Sequence, residues 1–148
     1  EYRRQRQMCI RDRRYTVQLG PSQPMMPWLV RHSAWLCTIF SAGKDGNTPC
    51  KRINMIDSEG RLFLMGELIL YKCPDRKGTY KLEEAWGNGL WLGRHASSNE
   101  NIVSTAEGRV IRARSVRRRP PSNQVSHQLL NQLRGTPWNL KSIKPEVK

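Results

Sequence analysis

Acidic residues are what this sequence is short of. Twelve aspartates and glutamates stand against 26 lysines and arginines, giving the 148-residue chain a formal net charge of +14 and a pI near 10.4. Charge of that sign says little about fold. It favours nucleic acid or an anionic membrane surface as partner, with a merely solvated basic surface as the bland alternative. Cysteine is scarce too: Cys9, Cys37, Cys50 and Cys73 lie far apart, which is neither a disulfide framework nor a zinc pattern, so reduced intracellular thiols are expected. His32, His95 and His127 are equally isolated and offer no paired spacing of the kind a tetrahedral metal site needs. The longest apolar stretch, Pro27 to Phe40, contains Arg31 and His32 and is too short to cross a bilayer. With no signal peptide recognisable, a soluble protein without a membrane partner is expected.

Groups that could run acid and base chemistry are also few. Asp45 and Asp57 stand beside glycine or serine in turn contexts, where a carboxylate caps its own backbone. Glu83 and Glu84 are neighbours; on a strand they would point to opposite faces, and no third acid or base is placed to help. His32 falls on the apolar face of a helix and reads as a core histidine.

What the chain does have is a run of short apolar segments ending in arginine. From Trp86-Gly87-Asn88-Gly89-Leu90-Trp91-Leu92-Gly93 through Ile102-Val103-Ser104-Thr105 to Gly108-Arg109-Val110-Ile111-Arg112, the spacing predicts a small β-sheet. Its hairpin turns are expected at Asn88-Gly89, Ser97-Ser98-Asn99 and Glu107-Gly108. Between Gly108 and Arg119 lie Arg109, Arg112, Arg114, Arg117, Arg118 and Arg119 with no acid among them. With Arg94 at the end of the tryptophan block, these are the candidate nucleic-acid-binding residues. In the last strand Ile111 and Ala113 alternate with Arg112 and Arg114, and Val116 falls on the arginine side unless a bulge intervenes.

Elsewhere Pro27 can open a helix on which Trp28, His32, Trp35 and Ile39 share a face, and the two tryptophans are expected to anchor against something larger than the remaining chain, because so wide an apolar face needs a partner surface. A turn at Lys44 to Asn47 and a short helical turn from Cys50 to Ile53 follow. Arg61 to Lys72 reads as a strand entered through Gly66, buried on both faces along part of its length. A polar loop, Pro74 to Thr79, leads to Tyr80-Lys81-Leu82 and the acidic pair. Trp91 and Leu92 are expected to pack inward, with Arg94 and His95 leaving toward solvent. Pro120 and Pro121 begin a linker, Val125 to Leu133 reads as a short amphipathic helix, and Gly135-Thr136-Pro137-Trp138 stops it. Asn139 to Lys148 reads as a disordered tail.

Two resemblances complete the reading. Arg3 to Arg13 resembles the in-frame translation of a sequencing-library adapter, so residues 1–13 are set aside as an expected artefact. They hold five arginines against Glu1 and Asp12, which leaves +11 of the +14. The second covers most of residues 24–138. Trp28-Leu29-Val30-Arg31-His32 with Trp35-Leu36, Asp45-Gly46 with Thr48-Pro49, Gly66-Glu67, Leu90-Trp91-Leu92-Gly93, Gly108 with Arg112, Arg114 and Val116, and Gly135-Thr136-Pro137-Trp138 together resemble the distal integrase region of copia-like retrotransposon polyproteins of the dinoflagellate type. Met65 departs from the aromatic that such sequences usually carry before the Gly-Glu pair, and Ile53 to Leu62 is irregular.

The resemblance implies an α+β chain. Residues 14–57 would be the end of an RNase H-like integrase core, 61–119 a small Src-homology-3-like antiparallel β-barrel, and 120–148 a linker, short helix and tail. It implies a non-catalytic, nuclear fragment that binds DNA or RNA through phosphates and contacts the rest of the core, with a homo-oligomer left open. The parent enzyme would join DNA with Mg2+ or Mn2+ held by an acidic triad. No residue here matches that triad, so neither catalysis nor a cofactor is expected of this chain. Two other readings stay open: a barrel-type protein-interaction module with Trp86, Trp91 and Tyr71 as an aromatic cage, and a translated relic without cooperative folding.

Overall fold

In a computed structural model the described residues are 19–54, 62–74 and 85–140. The expectations for residues 1–13, Asp57, Tyr80 to Leu82, Glu83, Glu84 and the end of the tail lie outside them. The chain is α+β: helix α1 (Met25–Phe40) and the short α2 (Pro49–Asn54) precede strands β1 (Leu68–Lys72), β2 (Trp86–Arg94), β3 (Asn101–Ser104), β4 (Val110–Ala113) and β5 (Val116–Arg118). A 3-10 turn, Pro121–Asn123, and α3 (His127–Gln132) complete it. The helices fall where the sequence places them: Pro27 lies in the first turn of α1, and the Ser126 hydroxyl accepts from the Leu129 amide to cap α3. The Asp45 turn also forms. Asp45 bonds the Asn47 amide and pairs with Arg52, whose hydrogen bonds hold its carboxyl down at about 2.

The sheet is antiparallel with strand order β4-β3-β2-β1-β5 and is not closed. It is nevertheless strongly curled, for a covalent reason. β4 and β5 are opposite edges, yet only Arg114 and Ser115 join them. Three Cα steps reach at most about 11 Å, whereas the edges of a flat five-stranded sheet stand roughly 19 Å apart. The Lys72 amide takes the Ser115 carbonyl at 3.0 Å and fixes the crossover against β1. The expected barrel is thus an open sheet bent until its edges meet at one end.

Curling needs a thin inner surface on the long strand β2, and Gly87 and Gly89 supply it. A Cβ at Gly89 would overlap a Val103 methyl and lie 2.7 Å from the Ser104 carbonyl, and one at Gly87 would lie 2.9 Å from the Tyr71 ring. These residues are in mid-strand, opposite Tyr71 and Ile69. The turn expected at Asn88-Gly89 is therefore wrong: a dipeptide that favours hairpins is used here for close approach. The other two turns form where expected, with Asn99 and Gly108 at positive φ. The expected strand from Arg61 shortens to Leu68–Lys72, since Met65 and Gly66 make a turn. Val116 leaves the arginine side, because the crossover resets the register and puts it opposite Tyr71.

Both faces of the sheet carry a core. On one, Leu68, Leu90, Leu92, Ile102 and Val110 meet Met25 and Trp28 of α1 and Leu129, Leu130 and Leu133 from the C-terminal segment. On the concave one, Phe63, Ile69, Tyr71, Trp91, Val103 and Ala113 cluster. Trp91 and Leu92, one apart, serve different clusters by ordinary strand alternation, and the ladder to β3 then shifts register between Trp91 and Gly93. His32 is a core residue, stacked on Trp35 and set against the edge of Trp91. The expectation that the tryptophan face of α1 needs something larger than the remaining chain is wrong: it packs on this chain's own sheet. The fully buried Trp28 indole donates to the Gly135 carbonyl at 2.8 Å, which ties α1 to the segment after α3. One cluster therefore crosses the boundaries expected near residues 57–61 and 119–120.

Candidate nucleic-acid interface

Strand alternation sorts the arginines by face. In β5, Arg118 lies opposite Ile69 and Val116 opposite Tyr71, on the concave side; Arg117 lies opposite Leu70, on the convex side. The seven candidates consequently do not act as one strip. Arg118 is spent internally. It bonds the buried Glu67 carboxylate through Nε at 2.8 Å and through a terminal nitrogen at 3.3 Å, donates to the Leu62 carbonyl at 2.8 Å, and lies over the Phe63 ring. Glu67 also accepts from the Leu64 amide at 2.9 Å, so this pair closes the loop that leads into β1.

Arg94 does not leave toward solvent as expected. It is half-buried, reaches Asn99 at 3.3 Å, and burial lowers its pKa from the ordinary value. Arg109 pairs with Glu107 beside the β3–β4 turn. Arg114 is almost fully exposed but contacts Glu100 at 3.4 Å. The Ser98 hydroxyl first, then Arg114 and the neighbouring charge of Arg112, hold the Glu100 carboxyl below its usual range.

Arg117 and Arg119 gather with Lys72 where the helices leave the convex face uncovered. Lys72 lies directly opposite Trp86, and Leu70 is flanked by Asn88 on one side and Arg117 on the other. The Arg117 guanidinium sits 4.4 Å from the Trp86 ring centre, and Arg119 bonds the Asn88 side chain. Among the described residues no carboxylate pairs with Lys72, Arg117 or Arg119. Three cations around an accessible indole can hold phosphates and offer a stacking surface; an arginine laid over a tryptophan is already ordered, at about 0.5–1 kcal/mol. The sequence reading missed Lys72 and Asn88. The pairing of β1 with β2 spans a long intervening segment, and Leu68, Leu70, Lys72 alternation was the one signal available.

The aromatic cage does not assemble. Trp91 is fully buried, and it and Tyr71 face the concave core, while Trp86 is on the other face. Among the described residues no group of three or more His, Cys, Asp and Glu could hold a metal ion, and no helix is long and apolar enough to cross a membrane. Among the described residues no disulfide joins Cys37 or Cys73. No family model, curated protein or solved structure matches the chain.

The Glu67–Arg118 pair can be separated from the interface by experiment. Arg118→Met should cost about 2–3 kcal/mol in denaturant titration, less than a fully buried pair because the guanidinium is half in water. It should leave the salt dependence of nucleic-acid binding unchanged, since its charge is already matched by Glu67.

Proposed function

We propose that this chain is a non-catalytic nucleic-acid-binding module that holds the phosphate backbone of a duplex on the convex face of its sheet. The observation that carries the reading is the cluster of Lys72, Arg117 and Arg119 around Trp86. Such contacts position a duplex without reading its sequence, so weak sequence preference is expected, as is action wherever the DNA lies, in the nucleus.

More particularly, we read it as the distal integrase region of a copia-like retrotransposon polyprotein, with the sheet as its Src-homology-3-like barrel and α1 as the end of its core. Support comes from the motif order, from the strand order, and from the two-residue crossover that brings β4 and β5 together. The module would then serve DNA integration by tethering DNA for a catalytic core that lies outside this chain.

The test is binding of the chain to duplex DNA over a salt series, beside the triple variant Lys72→Gln, Arg117→Gln, Arg119→Gln. Removing three phosphate contacts should flatten the log–log slope by about 2.7, at roughly 0.9 per contact. If the two proteins bind alike, or neither binds, the interface is a solvated surface and the proposal fails.

A further inference from the structure

A second basic site lies at the opposite end of the convex face, where α1, the β2–β3 turn and the segment after α3 converge on a cavity of about 350 Å³. That is at the small end of the range for organic ligands, roughly 300–1,000 Å³. Three cationic or donor groups from separate elements line it: Arg31 of α1, His95 of the turn and Arg112 of β4. The described residues lining it include no carboxylate. Glu100 lies close enough to Arg112 to feel its charge, but its hydrogen bonds are to Ser98 and Arg114.

Each wall is fixed. Arg31 stands one helical turn beyond Trp28, whose indole is bonded to Gly135. Pro137 and Leu140 form an apolar wall anchored by the Thr136–Asn139 bridge and by the Val110 amide on the Leu140 carbonyl at 3.1 Å. Ile102, opposite Arg112 across the β3–β4 ladder, forms the floor. The tautomer of His95 follows from its neighbours. The Ser98 amide, which can only donate, lies 3.4 Å from Nδ1, and the Ser97 hydroxyl lies 3.0 Å from it. Nδ1 is thus an acceptor, so neutral His95 carries its proton on Nε2 and offers an N–H.

Two planar guanidiniums and an imidazole N–H suit a doubly charged phosphate, and the apolar wall suits a flat, weakly polar body attached to it. We infer that this cavity binds a nucleotide through its terminal phosphomonoester, either as a free mononucleotide or as the end of a polynucleotide. The inference is independent of duplex binding on the Trp86 face.

It is tested by calorimetric titration of the chain with thymidine 5′-monophosphate, thymidine and inorganic phosphate. The nucleotide should bind, and the other two should bind about tenfold more weakly or worse, because each lacks half of the complement. Arg31→Gln and Arg112→Gln should each weaken the nucleotide by about tenfold, the loss of one charge-assisted contact. The Lys72, Arg117, Arg119 triple variant should bind it normally. Inorganic phosphate binding as well as the nucleotide, or nucleotide binding surviving both arginine variants, overturns the inference; the wild-type comparison decides even if a variant does not fold. A 5′-phosphorylated pentanucleotide preferred over its 5′-hydroxyl form identifies a polynucleotide end as the source, and equal affinities with mononucleotide binding retained identify the free nucleotide. Loss of duplex binding alone would sink the convex-face proposal and leave this site standing.

Discussion

Gly108→Ala is expected to destabilise the protein by about 3–5 kcal/mol, a large fraction of the roughly 5–15 kcal/mol that holds an ordinary domain folded. Gly108 has φ +84°, where an L side chain is strained, and a Cβ there would overlap the Gln132 carbonyl. Its own carbonyl accepts the Arg134 and Gly135 amides at 3.0 Å each. The β3–β4 turn is therefore the seat on which the C-terminal segment rests. Moving it breaks both bonds and pulls Leu130 and Leu133 from the core they share with Leu90 and Ile102. Gly46→Ala provides the control: Gly46 has φ +77° but open space around it, so only the strain of about 1–2 kcal/mol should appear. Urea titrations of both variants decide it. Equal losses would mean that Gly108 matters only for its backbone angle and that the segment does not dock there.

Trp28→Ala should cost about 3–5 kcal/mol and lower the unfolding midpoint of helix and sheet together. Trp28 is wholly buried between α1 and the sheet, and its indole N–H satisfies the Gly135 carbonyl, so truncation leaves both a cavity and an unpaired acceptor. Trp28→Phe should lie between wild type and alanine, since it restores most of the volume but not the donor. The measurement also discriminates between accounts of the chain. If α1 belonged to a partner absent from this sequence, Trp28→Ala would leave the sheet's stability unchanged. If the chain were a relic, no cooperative transition would be present to shift.

Local regularities were legible in the sequence because they rest on nearest neighbours. The period of α1, the turns at Ser97-Ser98 and Glu107-Gly108, and the strand-forming runs around Leu90 and Val103 follow from backbone sterics and alternation over a few residues. The basic character of the chain also followed from composition, because net charge does not depend on fold. Asn88-Gly89 misled for a related reason. Local propensity favours a turn there, but tertiary packing of Tyr71 and Val103 against the glycines offsets it.

The candidate site was less legible. Six arginines within twelve residues look like one strip, and their division depends on the register of β5 against β1, which pairs residues almost fifty positions apart. That pairing sends Arg118 to Glu67 and Arg117 to Trp86, and brings in Lys72, which no local pattern links to the arginines. The likewise distant convergence of Arg31, His95 and Arg112 follows from the bonds through Trp28 and Gly108 that hold α1 and the segment after α3 together against the sheet. Sequence alone determined how much positive charge the protein carries and which segments curl, extend or turn. Tertiary structure decided which charges are neutralised inside the fold and which stay at the surface, because faces and distances between remote strands are set by packing.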